Sequence, residues 1–198
     1  MTRIIGGAAR GRRLAVPPGG TRPTSDRARE ALFSALESAR GGLAGAVVLD
    51  LYAGSGAVGL EALSRGAAHA TLVERDARVV AVLRDNAAAV GLPGAEVVAE
   101  AVEHRLRQGA ARRYDLVFVD PPYAEPSERV IEALAALREQ GWLAAGALVV
   151  VERSAREPWL WPPGYTPDRD RRYGEAALWY GRAAGPGDAS ASPDTPVS

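Results

Sequence analysis

Cysteine is absent from the 198 residues, which excludes a disulfide framework and a thiol nucleophile. Lysine is absent too, so all 24 basic residues are arginine; we read that as coding bias, not function. Histidine is scarce, and His69 and His104 lie far apart and outside any ligand spacing, so no metal is expected. No run of about 18 apolar residues occurs, so no membrane span is expected. The amino terminus has arginines but no apolar signal core, which makes the cytoplasm the expected compartment.

With 47% hydrophobic residues the chain has enough apolar side chains for a real core. Its length favours one domain with an arm or tail. Formal charge is zero but unevenly placed. Residues 1–29 hold seven arginines (Arg3, Arg10, Arg12, Arg13, Arg22, Arg27, Arg29) against Asp26, so they carry +6 and the rest −6. A basic arm on an acidic body fits either a phosphate-rich partner or a solvated, disordered leader.

The chain is organised around residues 47–62. Val47 to Leu51 is a short apolar run carrying Asp50; Gly54, Ser55 and Gly56 make a tight turn, and a helical pattern follows. This reads as a buried strand, a loop and a helix start, with glycines that let the backbone approach a ligand. Gly54, Gly56 and Gly59 satisfy G-x-G-x-x-G, a pattern shared by many nucleotide binders. Asp50, at the strand end, suits a ligand with a cationic end, such as an ammonium and a sulfonium, and would repel a pyrophosphate. Its alternative reading is a cap or turn residue. Glu74 ends the next strand, where an acid accepts hydrogen bonds from ribose hydroxyls; the alternative is an exposed strand end.

Around this stretch the pattern alternates. Strands are expected at 47–51, 70–73, 96–99, 114–119 and 147–151, and helices at 57–64, 77–90, 102–108 and from a Ser127 cap to about Gln140. Strands apolar on both faces imply a parallel sheet covered by helices, doubly wound by right-handed crossovers. Ahead of it, Ile4-Ile5 and Leu14-Ala15-Val16 read as a small hairpin. Thr24 or Ser25 would cap a helix ended by Gly41-Gly42, with Arg22, Arg27 and Arg29 near its front, either solvated or on phosphate. After Arg153, residues 169–173 and 176–180 read as a closing antiparallel hairpin. The expected organisation is a basic arm and helix over 1–42, a main domain over 43–183 and a disordered tail over 184–198.

Asp120-Pro121-Pro122-Tyr123 follows the fourth strand, beside the glycine loop. Prolines hold such a loop without backbone donors. The Asp120 carboxylate and Pro121 carbonyl would accept hydrogens from an exocyclic amine, while Tyr123 stacks the heterocycle. The bland alternative is a proline-rich turn.

These residues resemble class I S-adenosylmethionine-dependent methyltransferases with an [Asn/Asp]-Pro-Pro-[Tyr/Phe] loop. More narrowly the chain resembles the RsmD family, which methylates guanine N2 in 16S ribosomal RNA. The likeness spans about residues 2–182. It includes Arg3-Ile4-Ile5-Gly6-Gly7, Gly11-Arg12-Arg13-Leu14, Arg22-Pro23-Thr24-Ser25-Asp26-Arg27-Ala28-Arg29 and Glu61-Ala62-Leu63-Ser64-Arg65-Gly66-Ala67. The resemblance implies a Rossmann-like, mostly parallel seven-stranded α/β fold with an N-terminal extension. It implies S-adenosyl-L-methionine bound by Asp50, Tyr52, Gly54, Ser55, Gly56, Glu74 and Arg75, and guanine held by Asp120, Pro121 and Tyr123. The arm arginines would hold rRNA, in a small-subunit particle, and the protein would act as a monomer. Where relatives place Asp or Asn near the adenine amine, this chain aligns Ala101, with Glu100 one residue early. Adenine recognition then rests on backbone groups or on Glu100. Asn86 matches a common position, with a helix-cap or surface role as the alternative.

Three rival functions remain at this level: an adenine-N6 or cytosine-N4 methyltransferase on DNA or RNA, a small NAD-dependent dehydrogenase, and a non-catalytic RNA-binding module. Asp at 120 and the Arg-Pro-Thr segment argue against the first. The second lacks a proton-donor pair.

Overall fold

The computed structural model describes residues 2–17 and 26–184. The expected cap at Thr24 or Ser25, Arg22, and all of the expected tail beyond Ala184 lie outside them. A two-stranded antiparallel ribbon, β1 (Thr2–Arg3) and β2 (Arg13–Leu14), precedes the helix α1 (Asp26–Arg40). The expected strands at Ile4-Ile5 and Leu14–Val16 are corrected here. The Ile5 amide bonds Glu61 and the Ala15 amide bonds Asn86, so neither is left for a ladder.

Alternating elements follow: β3 (Val47–Leu51), α2 (Ala57–Ser64), β4 (His69–Glu74), α3 (Ala77–Val90), β5 (Ala95–Ala99), α4 (Val102–Arg107), β6 (Tyr114–Val119), α5 (Ser127–Glu139) and β7 (Leu143–Ser154). A hairpin of β8 (Tyr165–Tyr173) and β9 (Ala176–Ala183) closes the chain. The sheet order is β5-β4-β3-β6-β7-β9-β8. Pairings among β3 to β7 are parallel, and β9 alone runs against its neighbours. The doubly wound, mostly parallel seven-stranded expectation is borne out. From β3 the chain winds outward to β5, then returns to place β6 on the other side of β3. That reversal opens a crevice at the carboxyl ends of β3 and β6.

Strand alternation divides the core between the two faces. Val48, Leu72, Phe118, Val150 and Tyr180 pack with α1, α2, α3 and the ribbon's Ile4 and Leu14. Leu49, Leu51, Val117, Val119 and Val149 pack with α4, α5 and Trp142. The arm and first helix thus share the main core; Leu32, Phe33 and Leu36 are buried in it. Burial of side chains this size stabilises by about 1.5–3 kcal/mol each.

Three boundaries differ from expectation for local reasons. Pro126, not Ser127, takes the N-cap of α5, and the Ser127 hydroxyl instead accepts from Arg153 Nη2 at 3.2 Å. Strand β7 outruns its apolar centre because a register irregularity lets Leu143 and Leu148 pair with Tyr114 and Leu116. Strand β8 passes through Pro167, which an edge strand with an irregular register tolerates. No helix among the described residues is long and apolar enough to cross a membrane.

Candidate active site

The Glu61–Ala67 segment forms a seat for the amino-terminal arm. Glu61 is fully buried in α2 and accepts the Ile5 and Gly6 amides at 2.7 and 2.8 Å. Ser64 Oγ accepts the Ala9 amide at 2.9 Å and donates to the Gly6 carbonyl. Arg65 bonds Glu61 and Glu37 and covers the Phe33 ring. Gly7 sits at φ 75°, where a β-carbon would fall 1.7 Å from the Ser64 carbonyl oxygen. Only glycine fits there. An acid inside an otherwise apolar helix is the sequence signal for this seat, and sequence reasoning left it unused.

Arg29 corrects an expectation. Its place in the sequence groups it with the RNA-binding arginines, yet it is wholly buried. Positions 29, 32, 33 and 36 share one helical face, so α1 carries Arg29 inward with Leu32, Phe33 and Leu36. There it donates to Thr2 Oγ1, the Arg3 carbonyl and Asp26. Arg29 therefore ties the ribbon to α1. Arg3, Arg10, Arg12, Arg13 and Arg27 are exposed; Arg3 also pairs with Asp26.

A cleft of about 230 Å³ opens at the ends of β3 and β6. Asp50, Tyr52, Gly54, Ser55, Glu74, Arg75, Glu100 and Asp120 line it, so the glycine loop and the Asp-Pro-Pro-Tyr loop meet in one site. Asp50 pairs with Phe118 across β3 and β6, two residues before Asp120. Buried Asp50 accepts the Gly59 amide at 2.9 Å. Gly59 is needed for that approach, since a β-carbon would lie 2.3 Å from Leu72. Burial, with some help from Glu74, pushes the Asp50 carboxyl up to about 7, against the Gly59 bond. Asp120 is pushed well above the carboxylate range by burial, then by Glu152 and Asp50.

The glycine loop is tensioned and braced. Tyr52 has φ 63°, the one positive-φ non-glycine residue among those described. Its buried hydroxyl has no protein partner, and burial raises its pKa. Such backbone strain concentrates at ligand sites. Glu74 accepts from the amides of Gly54, Arg75 and Asp76, which aims it into the cleft. Asp76 caps α3 by accepting from Arg78 and Val79 amides. Asn86, on α3, donates to the Ser55 and Ala15 carbonyls and accepts the Ala15 amide. It fastens the arm to the loop, so Val16 and Pro17 form part of the cleft wall.

Some expected residues stand elsewhere. Gly56 caps α2 at φ 80° behind the cleft wall, against Leu83. Ala101 is the N-cap of α4 and Glu100 lines the cleft, where it accepts from Gln108. Pro122 rather than Pro121 lines the cleft, and Tyr123 is half exposed. Buried Arg153, missed from sequence, holds the following loop through the Glu125 carbonyl, Ser127 and Glu157. Among the described residues no three histidine, aspartate or glutamate side chains converge as a metal site.

The cleft lining holds buried Asp50, the partly buried Glu74 and Asp120 and the partnerless Tyr52 hydroxyl, and among the described residues Arg75 is the one basic side chain in it. With glycine-loop and Asp-Pro-Pro-Tyr sites at the switch point, the architecture is that of the class I methyltransferases. The chain belongs to the RsmD family: the family model described as "Conserved hypothetical protein 95" matches residues 2–182. It is 41% identical to ribosomal RNA small subunit methyltransferase D of Escherichia coli K12, over 94% of this chain and 93% of that one. The Haemophilus influenzae protein of the same name is 36% identical, over 83% and 84%. The structure of a hypothetical protein from Thermus thermophilus superposes with TM-score 0.77 at 40% identity, over 91% of this chain and 98% of that one. At 14% identity, the Synechocystis magnesium protoporphyrin IX methyltransferase solved with S-adenosylmethionine shares the fold, with TM-score 0.62, over 80% of this chain and 79% of that one.

Proposed function

We propose that this chain transfers a methyl group from S-adenosylmethionine to the exocyclic N2 of a guanine in 16S ribosomal RNA. The convergence of Asp50 and Asp120 on one cleft carries the reading. The relatives named as small-subunit ribosomal RNA methyltransferases support the substrate class. The enzyme would act as a cytoplasmic monomer on a small-subunit particle.

When bound, the cofactor supplies an electrophilic methyl, whose bond to sulfur breaks as the bond to nitrogen forms. Asp50 faces the cationic end. Glu74 would hold the ribose hydroxyls, Tyr52, Gly54, Ser55 and Arg75 would shape the wall, and Glu100, also in the lining, would be available to the adenine amine. Asp120, which lines the cleft, accepts hydrogens of the target amine, favouring a pyramidal nitrogen whose lone pair points at the methyl; the Pro121 carbonyl, outside that lining, would join it only through a shift of the loop. Tyr123 stacks the base. Asp120 accepts the departing proton, its raised pKa matching that task. Alignment of nitrogen, carbon and sulfur carries most of the acceleration. The exposed Arg3, Arg10, Arg12, Arg13 and Arg27 hold RNA phosphates.

The test is labelled methyl transfer to small-subunit particles from cells lacking this protein, with nucleoside mapping. N2-methylguanosine is expected. Label in N6-methyladenosine or N4-methylcytidine, or none, would overturn the reading.

A further inference from the structure

Glu152 is a second acid beside Asp120, just outside the residues that line the cleft. Val119 pairs with Val151 across β6 and β7, so Asp120 and Glu152 follow that pair side by side. Phe118 and Val150 pair one step earlier and point to the α1–α3 face. Strand alternation therefore turns both acids to that same face. Glu152 is only 5% exposed, and its neighbour across β9 is the core residue Leu178. The next residue, Arg153, faces the other way and secures the loop after the Asp-Pro-Pro-Tyr motif. Glu152 also lies close enough to raise the Tyr123 phenol, ahead of Asp120 in effect though after burial. A base stacked on Tyr123 would present its edge to both carboxyls.

The chemistry of that edge is selective. Guanine carries an N1–H beside its N2 amine, a row of donors for two carboxyls. Adenine N1 and cytosine N3 are acceptors beside their amines, and would set a lone pair against a carboxylate. We propose that Glu152 is the specificity residue of this site, accepting the guanine N1–H while Asp120 holds the N2 amine. This rests on the guanine-N2 reading above.

The experiment uses an RNA fragment carrying the mapped target nucleotide as guanine or as 2-aminopurine. The latter keeps the N2 amine but has a bare acceptor at N1. The wild-type enzyme should favour guanine by about 10²-fold or more in kcat/KM, the scale expected when a buried hydrogen bond is lost. Glu152→Gln should lower guanine turnover and narrow that preference at least tenfold, because its carboxamide donates to a bare N1. Equal losses on both substrates, or no change on either, would overturn the proposal. If the variant fails to fold, the wild type still decides: equal rates on guanine and 2-aminopurine mean that N1–H is not read. Wild-type methylation of adenine or cytosine in the particle assay would overturn the guanine reading itself. Guanine-N2 methylation without N1–H discrimination would overturn the Glu152 role alone.

Discussion

Asn86 donates one amide group to two carbonyls, that of Ala15 in the arm and that of Ser55 in the glycine loop, each at 2.9 Å. The amino-terminal arm and the glycine loop are therefore fastened through one side chain. Asn86→Ala would leave the part-buried Ala15 amide and the Ala15 and Ser55 carbonyls without this partner. We expect a loss of about 1–3 kcal/mol in stability. We also expect weaker binding of both S-adenosylmethionine and RNA, with any cooperativity between them reduced. Denaturant melts and calorimetry with each ligand, alone and together, check this; unchanged binding of both ligands would break the link.

Asp50 gives a pH signature. Its folded carboxyl is raised to about 7 from an ordinary value near 3.8, so the folded state holds its proton more tightly than the unfolded chain. That benefit is fully present below the unfolded pKa and is lost as pH rises through the folded one. Between about pH 4 and 7 the empty protein should therefore lose on the order of 2–4 kcal/mol from this group. Asp50→Asn should flatten the slope while weakening the cationic cofactor most above pH 7. Thermal melts with and without S-adenosylmethionine at pH 4, 6 and 8 measure both effects.

Asp120→Asn keeps the side-chain shape but removes the proton acceptor. Turnover should fall by about 10²–10⁴-fold, with S-adenosylmethionine affinity within a few-fold of wild type. Single-turnover transfer and calorimetry separate these. Retained turnover would support the non-catalytic reading of the motif.

The arginines divide by burial. Reversing Arg10, Arg12 and Arg13 to Glu should weaken RNA binding and make its salt dependence shallower, by roughly 0.7–0.9 in log–log slope for each phosphate no longer neutralised. Arg29→Ala should instead cost about 2–4 kcal/mol of stability, since it leaves buried polar groups unpaired. Its effect on the salt slope should be small. A filter-binding salt series and a denaturant melt distinguish the two classes.

Most of the fold was legible because apolar periodicity and glycine punctuation mark β3, α2, α3 and β6 sharply. The cleft was legible for a related reason: Asp50 and Asp120 end strands that the crossover rule makes adjacent. What escaped were side chains whose partners lie far along the chain. Arg29 looked like surface until its helical phase with Leu32, Phe33 and Leu36 was weighed. Glu61 gave no hint of its distant amide donors, and Glu152, just past the expected strand 147–151, gave none of its place beside Asp120. The place of Pro167 within β8 was hidden because an edge position is a property of the assembled sheet.

The seat at Glu61 and Ser64 grips main-chain amides and a carbonyl, not the arm's side chains. Exposed positions such as Arg10 and Arg12 are thereby decoupled from anchorage. An engineer could rewrite them to suit a different nucleic-acid contour while the tether stays intact, provided Gly7 is left alone.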